Sequence, residues 1–205
     1  MYLAARIMKR TVVIMAFAAA LIVPVGLLGT VATAASASPP NLAAMLLKIG
    51  QMPTGWAVYS GSSNGLGCLA NVLEPKSIKQ TARASVEFVD EQNFPAVTER
   101  LATFRIAKTG YKKIVANLTA CTRLSGTTGD EKFTGTVGQM SFPHYGDASK
   151  AFEASLTVEG MAYGETIVIV RKGNVVMDFE EADIPSVDVS QFQGFVEKAV
   201  AKLPP

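Results

Sequence analysis

His144 is the only histidine among 205 residues and lies in Phe142-Pro143-His144-Tyr145-Gly146-Asp147. An imidazole changes charge near neutral pH, so it can serve as a general base or as a contact for a ligand. No nucleophile elbow is expected to bring a serine to it. Pro143 and Gly146 also fit a plain turn after a strand. His144 and Tyr145 are therefore taken as candidate ligand contacts, and no catalytic residue is assigned. Trp56, the sole tryptophan, could line a pocket or plug the edge of a core.

Asp178, Glu180, Glu181 and Asp183 form an acidic patch. Carboxylates are hard oxygen ligands, so calcium is conceivable, but the spacing is not that of an EF-hand loop. A solvated strand end is the expected reading, and no metal site is assigned. The stretch 61–67, Gly-Ser-Ser-Asn-Gly-Leu-Gly, lacks the lysine of a phosphate-binding loop and reads as a mobile loop. Asn117-Leu118-Thr119 has the form of a glycosylation sequon, discounted because it falls inside an expected helix. No cofactor is expected.

Cys68 and Cys121 are the only cysteines. In an exported chain two cysteines most simply form one disulfide, which contributes about 4 kcal/mol on a chain-entropy view. Export is read from residues 1–37. Arg6, Lys9 and Arg10 precede an apolar run from Val12 to Leu28, and two small-x-small sites follow, ending at Ala34 and Ala37. This is the pattern of a cleaved signal peptide, with Ala37 favoured. An uncleaved anchor is the rival, and only that form would hold the chain at a membrane. Thr30 stands where a lipoprotein would need cysteine, so a lipid anchor is not expected. The three basic residues account for the nominal charge of +2. Without them acids and bases nearly balance, which argues against a nucleic-acid partner.

The remainder, 38–205, reads as a single α+β domain. Helical spacing marks Asn41 to Ile49, Lys108 to Cys121, and a stripe from Phe192 to Leu203 with Ser190 and Gln193 as its capping box. Alternation marks strands over Ala82–Phe88, Phe152–Val158 and Val175–Glu180, with a short one near Trp56–Ser60. Ile167–Val170 reads as a central strand covered on both faces, turning at Gly173-Asn174. A phase change near Gly138-Gln139 predicts a bulge. Val97–Ile106 fits helix or strand and leans to strand. The order is α-β(n)-α-β(n)-α, an antiparallel sheet of hairpin-connected strands packed with about three helices.

Several features in order resemble the PknH-type extracellular sensor domain of actinobacterial receptor kinases and secreted proteins. They are Met52-Pro53-Thr54-Gly55-Trp56 after the first helix, the Gly/Ser loop into Cys68-Leu69-Ala70, Cys121 closing the middle helix, and the run from Ile167 to Val176 before a last helix. The resemblance covers about residues 42–203. It implies an extracellular α+β domain that binds a ligand in a cleft, and it matches Cys68 and Cys121 to the first of that sensor's two bridges. No kinase segment accompanies it here, so signalling would need a partner.

The expected function is non-catalytic binding in the cell envelope or outside the cell. The ligand is a small apolar molecule, a lipid or a glycan. The alternatives are a module docking on another envelope protein and, less favoured, a hydrolase with an unrecognised site. A hydrolase would require titratable groups with shifted pKa values converging in one cleft.

Overall fold

The computed structural model describes residues 40–60, 66–90, 94–128 and 131–205. The segment read as a signal peptide lies outside them. Eight strands form one antiparallel sheet in the order β1-β2-β3-β8-β7-β6-β5-β4. They are β1 (Trp56–Val58), β2 (Gln80–Asp90), β3 (Ala96–Phe104), β4 (Arg123–Thr128), β5 (Glu131–Met140), β6 (Ala148–Val158), β7 (Met161–Lys172) and β8 (Val175–Asp183). The helices are α1 (Leu42–Met45), α2 (Ala107–Ala120) and α3 (Val189–Ala201). The expected fold class and element order are thus observed.

Both faces of the sheet are covered, and the sequence pattern shows why. On β7, Val168 and Val170 join one core while Ile167 and Ile169 join the other. Opposite faces of one strand feed two cores, so the run needs no polar alternation. On β8, Met177 and Phe179 face the first core and Val176 the second. The first core gathers α3 through Phe192, Phe195, Val196 and Ala199, with Leu42, Leu46 and Trp56. The second gathers α2 through Ile114 and Leu118, with Leu69, Leu124 and Phe133. Gly110 permits the close approach of α2, since a Cβ there would lie 2.5 Å from the Phe104 ring. Gly173 makes the β7–β8 turn at φ 57°, a conformation that costs glycine little. Cys68 and Cys121 are joined, with Cα atoms 5.9 Å apart, and tie the segment before β2 to the end of α2.

Four expectations change. The first helix is only four residues long, and Leu46 is already extended (ψ 150°). Its cause is tertiary: the Leu47 N–H donates to Glu99 Oε2 at 2.7 Å instead of to a helical carbonyl. Leu46 and Leu47 can then both be buried, while Ile49 is exposed. The cap of α3 is Asp188, whose Oδ1 accepts from the N–H groups of Ser190 (2.9 Å) and Gln191 (3.2 Å), rather than Ser190 itself. The β5–β6 register runs unbroken through Gly138 and Gln139, so no bulge exists there. What changes at that point is the face: Phe133 and Val137 pack with α2, Met140 and Phe142 with α3. A register shift occurs instead in β2, between Gln80 and Ala82. Strand β4 is an addition; only Leu124 of Arg123–Thr127 is buried, so an edge strand of Ser, Gly and Thr carries almost no apolar signal.

Candidate functional site

The acidic patch is not a solvated strand end. Strand β8 lies between β3 and β7, and Asp178 and Glu181 are fully buried, with Glu180 only 6% exposed. Alternation with Met177 and Phe179 imitates an amphipathic edge strand, but the charged side is covered too. Register places Arg100 of β3 beside Asp178. Its guanidinium Nη1 lies 3.1 Å from Asp178 Oδ2 and 2.6 Å from Glu180 Oε2. Burial alone would depress the Arg100 pKa, but Glu180 and Asp178 hold it above the ordinary value. Burial, and then the charge of Glu180, push Asp178 well up. The same two causes raise Glu165 of β7 to about 8. Several carboxyls around one cation are thus tolerated because some of them keep their protons.

On the other face burial raises Glu181 to about 8, helped by the charges of Asp183 and Asp188. Glu99, opposed by its bond from Leu47 and by Lys202, is raised by burial to about 7. The Lys202 ammonium bonds the Leu46 carbonyl, and that of Lys198 donates to the Gln51 carbonyl at 3.1 Å. The segment from α1 to Gln51 is therefore clasped between β3 and α3. Among the described residues no group of three or more His, Cys, Asp or Glu is placed to hold a metal ion.

Above Arg100 the sheet face opens into a cleft of about 560 Å³. Strands β2 and β3 form its floor with Arg83, Ser85, Glu87, Thr98 and Arg100. Tyr59 and the loop through Asn71, Leu73 and Glu74 form its walls. The Tyr59 N–H donates to the Glu87 carbonyl at 2.9 Å, which sets Tyr59 opposite Glu87 at the end of β1. Arg83 and Glu74 are ion-paired across the mouth. Asn71 adopts a left-handed conformation (φ 57°), which asparagine tolerates better than most residues. Gln80 Nε2 donates to the Leu73 carbonyl at 2.8 Å and fixes that wall.

Trp56, His144 and Tyr145 do not line this cleft. Trp56 is buried in the first core, its ring edge-on to Phe195 with centroids 5.5 Å apart. Tyr145 is half-buried against Phe142, and its hydroxyl bonds Glu197 Oε1 at 3.2 Å. Burial and then the Glu197 charge raise its pKa. His144 is exposed. Tyr145 and Trp56 thus each reach α3, through different residues. The letters of a nucleophile elbow do occur, at Gly61-Ser62-Ser63-Asn64-Gly65. That segment lies outside the described residues, and it is followed by a three-residue 3-10 turn (Gly67–Leu69) rather than the helix such an elbow requires.

The lining of the cleft was open to sequence reading only in part. Arg83, Ser85 and Glu87 are the polar side of an alternating strand, a pattern that normally marks plain solvent exposure. Glu99-Arg100, the only charged pair within Val97–Phe104, is the one available signal, because charges in a doubly covered strand need partners.

No family model matches the sequence, and no curated protein matches it. Among solved structures the chain is similar to the extracellular domain of PknH from Mycobacterium tuberculosis, with a TM-score of 0.57 and 13% identity over 78% of this chain and 92% of that one. The fold is therefore that of the PknH extracellular domain. Among the described residues no helix is long and apolar enough to cross a membrane.

Proposed function

We propose that this protein is an exported, non-catalytic binding domain of the sensor type, with the β2–β3 cleft as its ligand site. The observation that carries this reading is the cleft itself, about 560 Å³, in the size range of small-molecule sites. The likeness in fold to an extracellular domain, the disulfide and the apolar leader support action outside the cytoplasm. The carboxyls with raised pKa do not supply a hydrolase: Asp178 is fully buried beside Arg100, and only Arg100 of that network reaches the cleft. Val58 (55% exposed) and Tyr59 (42%) at the outer strand β1 favour, as second reading, docking of another envelope protein.

Native and denaturing mass spectrometry of protein exported by its host tests the proposal. A native mass exceeding the denatured one by a discrete increment supports a bound small molecule. Equal masses, with another envelope protein recovered by cross-linking through β1, would replace it with the docking reading. Steady turnover of any substrate, abolished by altering His144, would overturn the non-catalytic reading.

A further inference from the structure

We propose that the cleft takes a neutral, hydroxyl-rich ligand, a short oligosaccharide, rather than a lipid chain or a charged molecule. This rests on the reading of the cleft as a ligand site and names the chemistry of its occupant. Charge is the first argument. Two carboxylates, Glu74 and Glu87, and two guanidinium groups, Arg83 and Arg100, line the cleft. Arg83 is spent on Glu74, and Arg100 on Asp178 and Glu180 behind it. The lining itself carries two charges of each sign, and both of its cations are already ion-paired, so no strong single-sign field draws in an ion, yet these groups still offer directional donors or acceptors.

Apolar surface is the second argument. The side chains of Ala84, Val86 and Leu101 pack into the opposite core, so these residues offer the cleft mainly backbone. Leu73 is buried in the other core. With Ala84, Val86 and Leu101 turned to the other face and Leu73 buried, few apolar side chains stand on the cleft face to hold an acyl chain. What remains is one exposed ring, Tyr59, beside a floor that carries the hydroxyls of Ser85 and Thr98. A pyranose matches this pairing. Its C–H face packs on an aromatic ring, and its ring of hydroxyls donates and accepts at once, as serine, threonine and amide groups do.

The test uses the isotopically labelled protein as exported, titrated with chitotriose, maltotriose and mannotriose. Phosphatidylglycerol vesicles and spermidine serve as the lipid and cationic comparators. Amide shifts should move at Tyr59, Ser85 and Thr98 with at least one trisaccharide. Tyr59→Ala and Ser85→Val, both at exposed positions, should weaken that binding at least tenfold without changing the melting temperature. Shifts at these residues with vesicles or spermidine, and none with any sugar, would overturn the oligosaccharide and leave the cleft as the site. Silence at these residues with every probe, or sugar-induced shifts gathered at Trp56 and Tyr145 instead, would overturn both.

Discussion

Replacing Glu99 by Gln should remove a slice of the pH dependence of stability, and the structure fixes its sign and size. Glu99 is fully buried on β3, with one oxygen bonded by the Leu47 N–H and the other without a hydrogen-bond partner. Its pKa rises from 4.5 in the open chain to about 7 in the fold. The folded state therefore holds a proton that the unfolded state has lost between these values. Stability from this group is fully present below pH 4.5 and declines until pH 7. The whole slice is about 3 kcal/mol. Glutamine accepts the same Leu47 N–H through its amide oxygen and cannot ionise. Relative to the parent, Glu99→Gln should be neutral or mildly destabilised near pH 5, where an unpaired amide N–H costs about 1 kcal/mol or more. It should gain steadily from there to about pH 7 and level off above it. Urea unfolding followed by the fluorescence of Trp56, buried against Phe195, measures both proteins across this range. Glu165 and Glu181 also titrate late, but they are common to both chains and cancel in the difference. A difference between the two proteins that is flat from pH 5 to 8 would refute the reasoning.

Three further outcomes follow from the packing. Arg100→Met should cost about 3–5 kcal/mol in denaturant unfolding, because it leaves Asp178 and Glu180 buried without their cation; a loss under 1 kcal/mol would mean that both carboxyls are already neutral. Cys68→Ser with Cys121→Ser should lower stability by about 4 kcal/mol, read from the same unfolding curves, and thiol labelling of the unreduced parent should modify neither cysteine. Phe192→Ala should cost about 3–5 kcal/mol, since this fully buried ring packs on both Phe142 and Phe179; calorimetry would check it.

The parts of the fold legible in the sequence are those where one face of an element is apolar. The stripe of α3 and the alternation of β2 and β6 are of this kind, and they correspond to helix and strand in the structure. The unbroken run on β7 was legible for the opposite reason, since only a doubly covered strand dispenses with polar positions. Elements decided by long-range contacts were not legible. Leu42, Met45, Leu46 and Ile49 have helical spacing, but a carboxylate 52 positions away claims the Leu47 N–H and ends the helix. Asp178 to Asp183 looked solvated because polarity alone cannot report that a strand is central. The candidate cleft suffers the same limit. Its floor joins β2 and β3, its mouth a loop from before β2, and nothing in local spacing says that Tyr59 stands over Ser85 and Glu87.

The buried charges also mark where the apolar cover of one sheet face gives way to the cleft. Where α2 covers it, β3 and β8 present Ala102, Phe104 and Val176. Further along the same face the same strands present Thr98, Arg100, Asp178 and Glu180. An apolar side chain at these positions would extend the core and draw a helix or loop down over it. A charged one cannot be left bare in a core, so the buried Asp178 and Glu180 are matched by Arg100 from the neighbouring strand. Arg100 is the residue at that boundary, since its guanidinium is bound by two buried carboxyl groups of the neighbouring strand while it still borders the cleft. If the cleft is the ligand site, rigidity of its floor is what this matching would contribute. A ligand meeting Arg100, Thr98 and Ser85 there would meet groups already oriented by the sheet and, for Arg100, by its ion pairs, so less ordering would have to accompany binding.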